Sequence, residues 1–317
     1  MVIENSCCYP PVDSAQTHPW LMVSQGTELQ NHCFCNISKH QYFERSIPEF
    51  CQKQVALTSY GWLALFDLNT SPVDCCLFNI ASQEKIQLPP VELDPKSKGR
   101  RHLNCILSKP PNDPDCHVLL LSMADRSIFF CRLGDDKFIK RINRFGDDRI
   151  WLATNFKGKI YTWMRHSDLV EIDFVGRELV LKQLVNDKGQ PCRMLLPYVT
   201  RFSEYLVESC GELLLVYMIC DEWSGKVKYF RIFRINILEG EFEELRSIGD
   251  RTIFLCNHVS MSSATIDNKL GGLQKNSIYY TWPDKNVYVY DIEYRSKSIL
   301  EPCPIDDTSV LMSWIML

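Results

Sequence analysis

No apolar stretch in this 317-residue chain reaches transmembrane length. No long basic run is present either, and the formal net charge is −4, so attraction to nucleic acid or an anionic membrane surface has little electrostatic basis. The opening residues, MVIENSCCYPPVDSAQTHPW, lack the positive start and apolar centre of a secretory signal. They contain no Arg and carry Glu4 and Asp13, unlike an organellar transit peptide. The expectation is a cytoplasmic or nuclear protein with neither a nucleic-acid nor a membrane partner.

Catalytic signatures are also missing. The chain has no G-x-S-x-G elbow, no H-E-x-x-H, no Walker A sequence, and no G-x-G-x-x-G after a strand. Its paired carboxylates, Asp135-Asp136, Asp147-Asp148, Glu243-Glu244 and Asp306-Asp307, fall in turns or strand edges and read as solvated groups. No catalytic residue and no cofactor is expected.

Cysteine, by contrast, is abundant: fifteen residues. Most lie inside apolar runs, as Cys105, Cys116, Cys131, Cys210, Cys220 and Cys256 do, where a thiol acts as a small hydrophobe. Without a secretion signal they read as reduced thiols with no native disulfide. The residues with metal-ligand chemistry are His32, Cys33, Cys35 and His40. Cys33 and Cys35 share a strand face, but His32 points the other way and no second ligand pair follows at matching spacing. The expectation is no metal.

The dominant pattern is a strand quartet that returns roughly every fifty residues, a kelch-like spacing. The clearest copy is QVALTSY, GWLALFDL, DCCLFNIA and EKIQL between Gln54 and Leu88. Similar quartets span 102–142, 149–184, 200–248 and 251–302, the last with an insertion near 258–274 that reads as a loop. Three N-terminal runs (19–24, 32–38, 42–47) and one C-terminal run (310–317) make a sixth set if the chain's last strand is its innermost. Small sheets of this kind must stack to bury both faces, and a closed radial stack leaves no free edges. The fold class is therefore all-β: a single propeller of six four-stranded blades over 19–317, behind a flexible tail at 1–18. A seven-bladed ring is the rival, should 258–274 hide a degenerate blade.

Three first strands are approached alike: GRRHLNCIL (99–107), GDDRIWLAT (146–154) and GDRTIFLCN (249–257). Gly and Asp make the turn, and Arg101, Arg149 and Arg251 either pair locally or share a rim that holds an acidic partner. Trp223, in the hairpin tip DEWSGK (221–226), is a contact residue if its ring points to solvent, since tryptophan and arginine dominate interface energetics. These four residues are the partner-binding candidates.

Particular strings then resemble the plant KIB-type propeller family: PWLM (19–22), YLVES and GELLLV around Cys210, FRIN (233–236), SIGDRTIFLC (247–256), NSIYY (276–280) and SWI (313–315). The resemblance implies the substrate-selecting propeller of plant F-box proteins, in which a preceding F-box recruits the Skp1–cullin ubiquitin ligase. Only eighteen residues precede Pro19 here, without helical periodicity, so no F-box and no Skp1 binding are expected. The implied function is non-catalytic binding of a protein partner. The alternatives are an enzyme or small-ligand binder using the central channel, and a decoy that competes with F-box relatives for their substrates.

Overall fold

The computed structural model describes residues 18–26, 29, 31–67, 69–93, 103–122, 127–142, 150–164, 168–194, 201–256, 259–264, 272–301, 303–305 and 310–316. The expected tail at 1–18 lies outside them, apart from His18. The N-terminal strands are β1 (Trp20–Gln25), β2 (Asn31–Asn36) and β3 (Gln41–Arg45). Blade one follows as β4 (Gln54–Leu57), β5 (Leu63–Asp67), β6 (Asp74–Phe78) and β7 (Lys85–Gln87). Blade two is β8 (Leu103–Leu107), β9 (His117–Ser122), β10 (Ser127–Arg132) and β11 (Ile139–Ile142). Blade three is β12 (Ile150–Phe156), β13 (Lys159–Met164), β14 (Leu169–Val175) and β15 (Glu178–Gln183). Blade four is β16 (Phe202–Ser209), β17 (Glu212–Cys220), β18 (Val227–Asn236) and β19 (Glu241–Leu245). In each of these blades the order in space equals the order in sequence.

Local chemistry explains the hairpins. Between β12 and β13 the two-residue loop is Lys157-Gly158, and between β16 and β17 it is Cys210-Gly211. Both residues of each loop have positive φ, the requirement of the tight turn that matches strand twist. The second strands are apolar on both faces, HVLLLS in β9 and ELLLVYMIC in β17, and are buried along nearly their whole length. A strand with sheet neighbours on both sides and a blade packed on each face requires that pattern.

The last strands are β20 (Arg251–Cys256), β21 (Val259–Ala264), β22 (Ser277–Thr281), β23 (Val287–Asp291), β24 (Ser296–Leu300) and β25 (Val310–Ile315). Blade five departs from the sequence reading. Its sheet has five strands, ordered β21-β20-β22-β23-β24. The segment read as a loop insertion near 258–274 contains β21, which folds back antiparallel on β20 and takes the inner position. Arg251–Cys256, read as a first strand, is therefore second in space. Its run RTIFLC is buried like β9 and β17, which is the physical reason for the placement. β22 then lies parallel to β20, a pairing that needs a long crossover, and β21 lies in sequence between the two.

Blade six is β25-β1-β2-β3. The chain's last strand pairs antiparallel with β1, from Trp20 opposite Ile315 to Gln25 opposite Val310. The ring is thus a six-bladed propeller closed by its C-terminal strand. The inner strands β25, β4, β8, β12, β16 and β21 neighbour one another in turn around the axis. Among the described residues the core divides into six apolar clusters, each lying between two successive blades. Every sheet is a wall shared by two clusters, so no blade can bury its own faces alone.

Candidate interaction surface

In an antiparallel blade the first–second and third–fourth turns fall at one rim, and the second–third turn at the other. The first of these rims is stitched across blades. Asn155 Nδ2 donates to Ser59 Oγ at 2.5 Å and to Leu107 O at 2.7 Å, linking blades one, two and three. Tyr60 Oη donates to Ser108 O.

Two grooves open on this rim on either side of the β12–β13 hairpin, with volumes of about 540 and 550 Å³. Their charges are largely spent on one another. Lys159 pairs with Glu171 at 2.7 Å, Lys182 with Asp173 at 2.5 Å, and Arg234 with Glu212 at 2.7 Å. His117 stacks flat on Phe174 at 4.2 Å, and burial lowers its pKa. Ion pairs of this kind set the shape of the grooves and supply no reactive group.

The opposite rim carries the β17–β18 hairpin, and here the sequence dictates a rigid tip. Asp221 Oδ1 accepts hydrogen bonds from the backbone N–H groups of Trp223 (3.0 Å) and Ser224 (2.8 Å), and from Ser224 Oγ (3.1 Å). Its other oxygen pairs with Lys228 Nζ at 2.9 Å. The Ser224 N–H, the Lys228 ammonium and the Ser224 hydroxyl together hold the Asp221 carboxyl well below the usual carboxylate range. The turn closes through Asp221 N to Lys226 O (2.8 Å) and Gly225 N to Asp221 O (2.9 Å). Gly225 has φ of 68°, and a Cβ there would stand 3.0 Å from the Arg201 guanidinium. The glycine thus serves both the turn and the close approach of Arg201. At the tip, Trp223 is 92% exposed. Two more aromatics are partly exposed at this end of blade four, Phe202 and Tyr229. Both lie opposite Ile219 in the ladder, one on each side, so they share one face of the sheet. Strand alternation in β16 and β18 signalled them in the sequence, but their exposure depends on where the neighbouring blade ends.

The four sequence candidates separate. Arg101 and Arg149 lie outside the described residues. Arg251 donates from Nη1 to Glu212 Oε2 at 2.7 Å and from Nε to Ile248 O at 2.8 Å, with Ser209 O at 3.3 Å. Its side chain is 16% exposed, and it fastens blade five to the first turn of blade four. Burial acts to raise the pKa of Glu212, but the guanidiniums of Arg234 and Arg251 outweigh it and bring the group below its ordinary value. Glu212 begins β17, whereas Trp223 follows its end, and β17 is nine residues long. At about 3.3 Å per residue the two sites stand roughly 25 Å apart. Arg251 therefore pairs locally, and the two described candidates, Arg251 and Trp223, stand at opposite rims.

The structure also gathers what the sequence left apart. Cys33 and Cys35 do share a face of β2, with their sulfurs 3.7 Å apart. Cys303, from the link between β24 and β25, joins them, and the three sulfurs lie within 4.8 Å of one another. Hydrogen bonds from the Cys33 and Cys35 thiols hold Cys303 below the ordinary thiol range, and the same bonds push Cys33 and Cys35 up. His32 turns to the other side, as expected, and bonds Ser24 Oγ through Nδ1 at 3.1 Å. The expectation of no metal rested on a missing further ligand, and Cys303 supplies one that no local spacing could reveal. All described cysteines are free thiols.

A sequence model of the KIB1-4 beta-propeller matches residues 34–292. The chain belongs to the KIB1-4 beta-propeller family. Two curated relatives come from Arabidopsis thaliana. "Putative F-box protein At5g38270" is 23% identical over 171 residues, which cover 50% of this chain and 41% of that protein. "Putative F-box protein At4g17565" is 23% identical over 317 residues, covering 90% of this chain and 78% of that protein. This KIB1-4 propeller therefore spans less than half the length of the first relative. Among solved structures, TolB from Acinetobacter baumannii aligns with a TM-score of 0.47 and 13% identity, over 94% of this chain and 66% of that one. Among the described residues, no helix is long and apolar enough to cross a membrane.

Proposed function

We propose that this propeller is a non-catalytic binding module whose protein partner docks on the rim that carries the β17–β18 hairpin, with Trp223 as anchor. The observation that carries the reading is a tryptophan 92% exposed on a tip locked by the Asp221 carboxylate. A large ring held rigid before contact loses little entropy on binding, and tryptophan leads the residues that dominate interface energy. The family match and the F-box relatives support a substrate-selecting role in ubiquitin ligation as the finer reading. The channel offers little to an enzyme. The inner strands contain no His, and their carboxylates are Glu204 and Glu208. Glu204 accepts a hydrogen bond from Trp163 Nε1 at 3.1 Å, and Glu208 from Gly211 N at 2.9 Å. Arg101 and Arg149 stay candidates for a second, acid-seeking contact.

The test is quantitative affinity purification from plant tissue with the full chain and with Trp223→Ala, each checked for melting temperature. The expected result is a protein retained by the natural chain and depleted at least tenfold by Trp223→Ala at unchanged stability. Equal retention by both overturns the anchor. Charge reversal at Arg101 and Arg149, read at low and high salt, reports separately on the acidic contact.

A further inference from the structure

The cluster of Cys33, Cys35 and Cys303 lies in the buried core between blades five and six, away from the proposed docking rim. Three thiols converge from two distant parts of the chain, with β2 supplying two and the strap into the closing strand supplying the third. All three are nearly sealed from solvent, at 2%, 1% and 9% exposure. An odd set of thiols cannot be satisfied by disulfides. Cys33 and Cys35 are alternate residues of one strand, so their Cα atoms stand about 6.6 Å apart, near the upper limit of disulfide geometry. One metal ion satisfies all three at once. Zinc–sulfur bonds of about 2.3 Å in a tetrahedron put neighbouring sulfurs about 3.75 Å apart, and Cys33 Sγ to Cys35 Sγ is 3.7 Å. Thiolates select soft ions, copper(I) and zinc foremost. Three thiolates around copper(I) leave a buried charge of about −2, and around zinc about −1, and the smaller charge costs less in an apolar pocket. The pocket is apolar: Leu21, Val289, Met312 and Trp314 belong to the same buried cluster. Across the ladder from Cys33 stands the exposed Glu44, outside the group of three sulfurs.

We propose that Cys33, Cys35 and Cys303 bind one zinc ion as a clasp on the ring closure. Cys303 lies on the strap between blade five and β25, and the neighbouring Pro304 O already receives a hydrogen bond from Gln25 Nε2 at 3.3 Å. A bond from this strap to β2 closes a loop that contains nearly the whole propeller. Metal binding at a site that exists only in the closed ring adds directly to the stability of that ring.

The experiment uses the full chain, purified under reducing, oxygen-free conditions, loaded with zinc chloride and exhaustively dialysed. Zinc per chain is then measured by elemental mass spectrometry. The expected result is one zinc per chain, lost in Cys33→Ser, Cys35→Ser and Cys303→Ser and kept in Cys210→Ser, whose residue is exposed and remote. Chelation lowers the melting temperature of the natural chain and leaves that of Cys303→Ser unmoved. Should a serine variant fail to fold, cobalt(II) in the natural chain gives the second readout: strong sulfur-to-cobalt charge-transfer bands whose intensity reports three thiolates. A natural chain that retains no zinc and shows no such bands, a Cys303→Ser variant that retains zinc fully, or alkylation mapping that finds Cys303 disulfide-bonded overturns the proposal.

Discussion

Blade four and the closing pair of blades, five and six, solve the same packing problem in opposite ways. Blade four is assembled from neighbours in sequence: β16 to β19 pair in order through short turns, and its hairpin tip is locked by residues within one octapeptide, Asp221 to Lys228. Blades five and six are held by residues far apart. Trp314 Nε1 donates to Leu255 O at 3.2 Å, Cys256 Sγ to Met312 O at 2.9 Å, and β25 pairs with β1 from the other end of the chain. A ring stores its cooperativity in the blades that join distant parts of the chain. A blade built locally displays a surface, and a blade built across the chain decides whether any blade persists, because each cluster needs both of its walls.

Removal of residues 310–317 has the largest expected effect. We expect loss of the single cooperative melting transition, since β25 is both the inner strand of blade six and a wall of two clusters. A truncated chain that melts like the full one would show that closure is dispensable. A smaller cut at the same seam is Trp314→Ala. Trp314 is fully buried and meets Phe254 edge-on at 4.9 Å, so the expected loss is about 3–5 kcal/mol by denaturant unfolding.

Arg251→Ala tests the joint between the two regions. Arg251 holds Glu212, but Arg234 stays to pair with that carboxylate, so the expected cost is roughly 1–2 kcal/mol, at the low end for hydrogen bonds to charged groups. A partner contact at Arg251 would instead lower affinity per folded molecule with stability unchanged.

Within blade four the effects are local. The folded-state pKa of Asp221 lies below its unfolded value of about 3.9. Its contribution is therefore complete above that value and is lost only as pH falls through the lower, folded one. The indole N–H resonance of Trp223 should hold still from pH 7 to about pH 4 and move only in stronger acid. A transition midway at the ordinary carboxylate pKa would show that the tip is not locked. The smallest stability effect belongs to Trp223→Ala, expected within about 0.5 kcal/mol, even as partner binding falls.

Much of this was legible from residues alone. The strand quartets of blades one to four, the glycine turns at Gly158 and Gly211, and the spare strand at the C-terminus are local patterns of alternation and turn chemistry, and they placed the closure correctly. RTIFLC was not legible: its glycine-and-arginine approach reads like those of 99–107 and 146–154, and only its burial in the fold shows it to be a second strand. The place of Trp223 at a hairpin tip was readable from DEWSGK, but its exposure came only with the fold.

Local sequence therefore sets the number and kind of sheets, because a strand's periodicity and its turns depend on neighbours a few residues away. Only the tertiary structure decided that Val259–Ala264 takes the inner place in blade five, that Arg251 and Trp223 stand at opposite rims, and that Cys303 reaches Cys33 and Cys35. These depend on which distant segments share a wall once the ring closes, and no local spacing encodes those contacts.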